Sequence, residues 1–403
     1  MVTLTESRPR EAGVDAAVVA QRARGLIDQL RVHAAKAEDL RRVPDENMQL
    51  VRDAQLLRVV QAESLGGFGL GYRSHLDVVS AIAEGCTATG WVVGVGHVHS
   101  WMVCHMDERA RQEVYGENPD ALVAAVIAPR GKAVEQSDGS WLLNGVWPFA
   151  SGCQHAQWLM LGAELTNKDG VAAGDGDILV RTSDVEIKDD WFVAGLQGTG
   201  SNSVAVKDLR VPAHRKLQLD AWLDRRSAAY DSPEAPAMLK GQSGPVLAIG
   251  ICGAALGAAR AALAEFRRTA VGKKVVYTPH ISDEWVVNQV ALGLAAGRIH
   301  AAELMLYSVA DEIDAYADRD EDMPIELRGR IRVDCSLAVR FLLEAVDSLF
   351  MNGGASGLST RSPIQRAARD IRAMNMHGLM LLETSAETYG RILLGHAPLT
   401  PIY

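Results

Sequence analysis

The chain has 403 residues, 48% of them hydrophobic, enough to bury a core spread over two or three lobes. A formal charge of -9, with 41 Lys and Arg scattered among 50 Asp and Glu, excludes the basic patch that a nucleic-acid partner requires. The first residues lack a signal core, no apolar run approaches the ~20 residues of a membrane span, and Cys86, Cys104, Cys153, Cys252 and Cys335 are isolated, without CxxC spacing; the expectation is a cytoplasmic chain with reduced thiols and no membrane contact.

Residues 14–62 carry apolar side chains at helical spacing (Val18-Val19, Ala23, Leu26-Ile27, Leu30) and predict helix. The glycine-rich stretch 65–71 is a loop, and 74–116 returns to helix with Ser74 as its N-cap. After Pro119-Asp120 the pattern changes. Residues 121–128 form an apolar run of strand length, 141–143 followed by Asn144-Gly145 predicts a strand and a hairpin turn, and 158–165, 178–181 and 204–211 are further strands. Residues 216–243 connect to helices at 246–269, 281–317, 325–351 and 362–394, with loops at 271–279 and 352–361. The α, β, α order divides the chain into an N-terminal helical domain (1–120), a β domain (121–215) and a C-terminal helical domain (216–403), an α+β class. Neither the GxGxxG fingerprint after a strand nor GxxxxGK[ST] is present, which disfavours a nicotinamide Rossmann enzyme.

Some residues invite chemistry. His97 and His99 stand two apart on a helix, so they face different ways, and with no third ligand at suitable spacing no metal is expected. Ser151 reads first as a turn serine after a strand, with a reactive hydroxyl as the functional alternative. The Gly198-Thr199-Gly200-Ser201-Asn202 run supplies backbone donors for a ring edge or phosphate, or makes a tight β turn. His377 suits proton exchange near neutral pH, or sits in the core. Trp91, Trp101 and Met102 are core or pocket wall, and Arg369-Asp370 is open to reading as a helix ion pair.

Ala150-Ser151-Gly152-Cys153-Gln154-His155-Ala156 is similar to the Ser-Ser-Gly-Cys-Asp-His-Ala motif of flavin-dependent phenol hydroxylases, the oxygenase components of two-component aromatic monooxygenases such as the 4-hydroxyphenylacetate 3-hydroxylases and secosteroid hydroxylases. Residues 191–202 are similar to the second β-domain motif of that family, 349–355 and 365–370 resemble its C-terminal helices, and 41–44 and Thr89-Gly90-Trp91 also fit, so the resemblance covers nearly the whole chain. It implies the acyl-CoA dehydrogenase fold: a helical domain, a central β barrel and a C-terminal four-helix bundle, assembled as a homotetramer. It also implies reduced FMN or FAD supplied by a separate NAD(P)H:flavin reductase, dioxygen, and a small aromatic substrate attacked by a flavin C4a-hydroperoxide. Such an adduct must be kept dry, and a phenol becomes more nucleophilic when it loses its proton.

On this resemblance Ser151 and His377 are catalytic, the first beside flavin N5 and the second as general base. His99, Trp101 and Val126 contact substrate. Trp147, Phe149, Gly152, Gly198, Thr199, Ser201 and Asn202 cradle the flavin with Lys274, while Gly353, Gly354 and Arg369 approach the flavin of a neighbouring subunit. A water-shielded hollow between barrel and bundle is expected to hold it. Acyl-CoA dehydrogenases carry a Tyr-Glu-Gly base where this chain reads Asn375-Met376-His377-Gly378, so dehydrogenation is disfavoured; N- or S-oxygenation on the same fold is the alternative. Lys273-Lys274 stands in place of the family's flavin-phosphate arginine and leaves FMN against FAD open. Residues 124–129 replace family serines by Ala or Val, and Gln154 replaces an aspartate; the pocket is more apolar, suiting a naphthol, an indole or an aromatic polyketide.

Overall fold

The computed structural model describes residues 13–403. Its first helical stretch is four short helices: α1 (Ala16–Gly25), α2 (Ile27–Val32), α3 (Ala34–Leu40) and α4 (Asp45–Asp53). Asp15 caps α1 by accepting the Val18 N–H at 2.9 Å, and Arg41, left-handed at φ 52, ends α3. Helix α5 (Tyr72–Gly85) begins two residues before Ser74. Asp314, from far along the chain, caps it instead, accepting the N–H groups of Tyr72 at 2.7 Å and Arg73 at 3.1 Å. Helix α6 (Thr87–Cys104) is apolar on all sides and almost wholly buried, as its composition requires; α7 (Glu108–Tyr115) follows.

Strands β1 (Val123–Glu135), β2 (Trp141–Trp147), β3 (Trp158–Thr166), β4 (Ala172–Arg181), β5 (Glu186–Ile187), β6 (Val204–Val211) and β7 (Lys216–Gln218) form one mixed sheet ordered β5-β6-β2-β1-β3-β4-β7. Only β1 and β3 run parallel. The ladder ends at β5 and β7, so in its hydrogen bonding the expected barrel is an open sheet. Asn144-Gly145 does not turn. It lies within β2, at a register shift, because the Trp147 indole fills the space that a Cβ on Gly131 or Gly145 would need, at 2.1 and 2.7 Å. The turn falls at Asp138-Gly139, with Gly139 at φ 80 and Asp138 accepting the Ser140 N–H at 3.1 Å.

Helices α8 (Leu219–Leu223), α9 (Ala228–Asp231), α10 (Ser243–Ile249), α11 (Cys252–Ala270), α12 (Val286–Asp318), α13 (Ile325–Asn352), α14 (Pro363–Asn375) and α15 (Leu382–Leu393) complete the chain. Helices α11 to α14 pack together, and α11 also packs on α5, so a single core cluster joins the helical ends. Ser243–Ala270 corrects one expectation: by length and composition it could span a membrane, with mean hydropathy 1.9 over its most apolar window. That window is 83% buried in the protein, and the helix breaks at Gly250-Ile251.

Candidate active site

Ser151 sits in the turn after β2, pressed onto α6. Gly152 follows at φ 72, and a Cβ there would lie 2.6 Å from Val92 Cγ1, so only glycine lets the turn approach the helix this closely. Two backbone bonds zip this turn to the 196–202 segment: Ala150 N–H to Asn202 O at 3.1 Å and Gly152 N–H to Thr199 O at 3.0 Å. Trp91, on α6, donates its Nε1–H to Ser151 Oγ at 3.1 Å. Ser151 Oγ is 2.7 Å from Ser201 Oγ, which is 2.7 Å from Thr199 Oγ1, whose hydroxyl donates to Leu196 O at 2.8 Å. Beside Ser151, Phe149 holds a left-handed backbone (φ 69) and a ring 66% exposed, edge-on to Trp191 at 5.9 Å. The positive φ is unfavourable for a phenylalanine, so the surrounding turn must impose it.

The structure brings His377 to the same place by an unexpected route. The residue is not on a helix but in the turn between α14 and α15, where its ring meets Trp91 at 5.9 Å and 66°. Trp91 thus touches both proposed catalytic residues. The residue is exposed by surface area, yet the protein atoms packed around the ring desolvate it enough to lower its pKa below the ordinary 6.5. The Leu379 N–H donates to Nδ1 at 3.3 Å. The neutral tautomer assigned from that bond carries its proton on Nε2. His99, on α6, has the opposite arrangement: its Nδ1 bonds Val123 O at 2.9 Å and must carry the proton, so Nε2 is the acceptor, and burial pushes the pKa down to about 4. Val126, half-buried on β1, belongs to the same strand. His97 faces elsewhere, toward Leu56 O and His75, and no metal-binding cluster occurs among the described residues.

Other expected contacts either lie away from this patch or face into the protein behind it. Trp101 is fully buried; it donates to Met238 O at 3.0 Å and packs on Tyr72, His105 and Trp222, leaving no face for a substrate. Trp147 is fully buried as well, its Nε1–H donating to Gly162 O at 2.7 Å, so it braces the sheet. Gly198 is tight against α3, where a Cβ would lie 2.7 Å from Ala37 Cβ. Thr199, Ser201 and Asn202 are buried, and Asn202 Nδ2 donates to Lys188 O at 2.6 Å; these side chains support the turn from behind. Lys274 is exposed with no partner for its ammonium among the described residues. Its neighbour Lys273 instead bonds Gly353 O at 2.6 Å and Ser356 Oγ at 2.8 Å. Gly354 is left-handed at φ 72 with open space around it. Arg369 is a tie, bonding Ala194 O, Gln197, Gln365 and Glu38 and so fastening α14 to α3 and to the 194–197 loop.

Phe149, Met376 and His377 are exposed in the single chain. A separate cavity of about 470 Å³ lies between α11 and α12, lined by Arg267, Arg268, Ser282, Asn288 and Gln289 among others.

Residues 249–381 match the family model for the acyl-CoA dehydrogenase C-terminal domain. Over 381 residues the chain is 34% identical to HsaA, the oxygenase subunit of a flavin-dependent monooxygenase from Mycobacterium tuberculosis, covering 93% of this chain and 94% of that one. It is 31% identical to the oxygenase component of an FADH(2)-dependent resorcinol hydroxylase from Rhizobium sp., over 94% of each. XiaF from Streptomyces sp., solved with FADH2 and glycerol, superposes with a TM-score of 0.91 at 27% identity, over 96% of this chain and 98% of that one. Relatives of this kind, two of them more than 30% identical over almost the whole length, show the family: the chain belongs to the oxygenase components of the flavin-dependent monooxygenases, on an acyl-CoA dehydrogenase-like fold.

Proposed function

We propose that this oxygenase component transfers one oxygen atom from dioxygen to a phenolic, preferably fused, aromatic ring, using reduced FMN or FAD delivered by a separate reductase component. The observation that carries the reading is the convergence of Ser151 and His377 on Trp91, where three distant parts of the chain meet. The residues fit a flavin ring: Phe149 offers an exposed aromatic face, the missing Cβ of Gly152 lets the Ser151 turn lie flat on α6, and Ser151 keeps a lone pair unused. Bound reduced flavin supplies the activation of dioxygen. The chain supplies placement and protons. His99 Nε2 is suited to accept the hydrogen bond of a phenol hydroxyl, which enriches the ring in electrons, and His377 holds a proton on Nε2 for exchange during oxygen transfer. This divides between two histidines the role first expected of His377 alone.

Removing a thioester α-proton would need a carboxylate where His377 stands. The nearest acidic residue in sequence, Glu383, lies on α15, exposed and 3.5 Å from Arg340. The homotetramer is supported by an unpartnered stripe on α12, where Val286, Val290, Leu294 and Leu304 are 55–63% exposed at helical spacing. A second copy on that stripe is also the natural source of cover for the patch. The test mixes the protein with chemically reduced FMN or FAD, labelled dioxygen and a panel of phenols, naphthols and indoles. One labelled oxygen atom in a product is expected. Release of all the consumed oxygen as hydrogen peroxide with every compound, or dye reduction by an acyl-CoA, would refute it.

A further inference from the structure

The hydroxyl groups behind Ser151 form a chain whose direction is fixed. Thr199 Oγ1 lies 2.8 Å from Leu196 O, and a carbonyl has no proton to give, so the proton between them is the threonine's. The 2.7 Å contact between Thr199 and Ser201 must then use the Ser201 proton, and the 2.7 Å contact between Ser201 and Ser151 must use that of Ser151. Trp91 Nε1–H, which can only donate, fills one of the Ser151 lone pairs at 3.1 Å. Ser151 has therefore given its proton away and has one lone pair left. Reversing the chain would set two oxygen lone pairs face to face at Leu196. Thr199 and Ser201 are 1% and 4% exposed, so water cannot readily stand in for either.

We propose that Thr199 and Ser201 are positioning residues that hold Ser151 as a pure hydrogen-bond acceptor, and that this polarity makes the site prefer reduced over oxidised flavin. The proposal rests on the reading that Ser151 faces the flavin at N5. On reduction N5 changes from an acceptor to an N–H donor. An acceptor-only hydroxyl matches the reduced ring and sets lone pair against lone pair with the oxidised one. The oxygenase must take up reduced flavin and let the oxidised form go, and the buried chain supplies that discrimination without any moving part.

The experiment is an anaerobic titration of the full-length protein with dithionite-reduced and with oxidised flavin, read as the ratio of the two dissociation constants. Thr199→Val keeps the side-chain volume but removes the end of the chain. The Ser201 proton then turns to Ser151, whose own proton is freed toward the flavin. The preference for reduced flavin is expected to fall about tenfold, the worth of one hydrogen bond of about 1.4 kcal/mol. Thr199→Ser, which keeps the hydroxyl, should restore it. Ser201→Ala provides a second break should Thr199→Val fold poorly. A merely structural role would weaken both flavin forms alike; an unchanged ratio in the variants, with the wild type still preferring reduced flavin, overturns this proposal alone. A wild type that binds neither form overturns the oxygenase reading and this inference together.

Discussion

Asp370 allows a quantitative test of how α14 holds the glycine loop. The carboxyl is 3% exposed and accepts the Leu196 N–H at 2.6 Å, at the anchor of the hydroxyl chain. Burial pushes its pKa up from 3.8 to about 7; the Leu196 N–H opposes the rise and the Glu38 charge adds to it. In the unfolded chain the group loses its proton near 3.8, whereas the folded protein keeps it until about 7. Between those values the unfolded state binds fewer protons, so stability falls as pH rises from about 4 to about 7 and is level above. Each tenfold in proton affinity is about 1.4 kcal/mol, so a little over three tenfolds gives a loss on the order of 4 kcal/mol. Asp370→Asn still offers Oδ1 to Leu196 but cannot ionise. Urea unfolding of both proteins should show similar stability near pH 4, and a variant more stable by roughly 2–4 kcal/mol at pH 8. Taking the difference between the two proteins cancels every other titrating group. A difference that does not change with pH would refute the reasoning.

His377→Ala should keep flavin affinity and oxygen consumption but lower hydroxylation on the order of 10²–10⁴-fold, the missing product appearing as hydrogen peroxide in a coupled peroxidase assay. Normal coupling in that variant would remove His377 from the chemistry. Trp147→Phe should cost about 1–3 kcal/mol in denaturant unfolding by leaving the Gly162 carbonyl unpaired, while flavin titrations stay at wild-type values; weakened flavin binding at intact stability would return Trp147 to the cofactor site.

The Ser151 turn was legible because its requirements are local. A glycine at positive φ and small neighbours leave marks in consecutive residues, whereas the 196–202 segment that zips to them lies far along the chain and was paired with them only by the family resemblance. What sat at the ends of side chains was less legible. Trp101 and His99 lie two apart on one buried helix, and only the packing of Met238 and Trp222 against one face decides that the tryptophan is sealed while the histidine meets β1. Lys273 and Lys274 lie on an extended segment, where a shift of one residue reverses the side that faces the protein; composition favours neither. The Gly-Thr-Gly-Ser-Asn string was open to reading as a flavin cradle or as a tight turn, and nothing in it says which face of the loop meets α6.

The position of His377 shows why a helix boundary can decide a site. In an unbroken helix over 362–394, residue 377 would fall seven positions after Asp370, near the same face, and so on the side toward the Leu196 loop. The chain leaves the helix after Asn375, and no proline forces it to. Two arginines of α13 hold the resulting turn: Arg340 Nε donates to Asn375 Oδ1 at 3.2 Å, and Arg332 reaches Gly378 O at 3.5 Å. Helix α14 thereby ends early enough for the next residues to swing the imidazole onto Trp91. The information that places this histidine is held on a neighbouring helix some 40 residues away, in groups that never touch the reacting atoms. The bundle's packing, and not the pattern of residues around 377, aims the imidazole at Trp91 on α6.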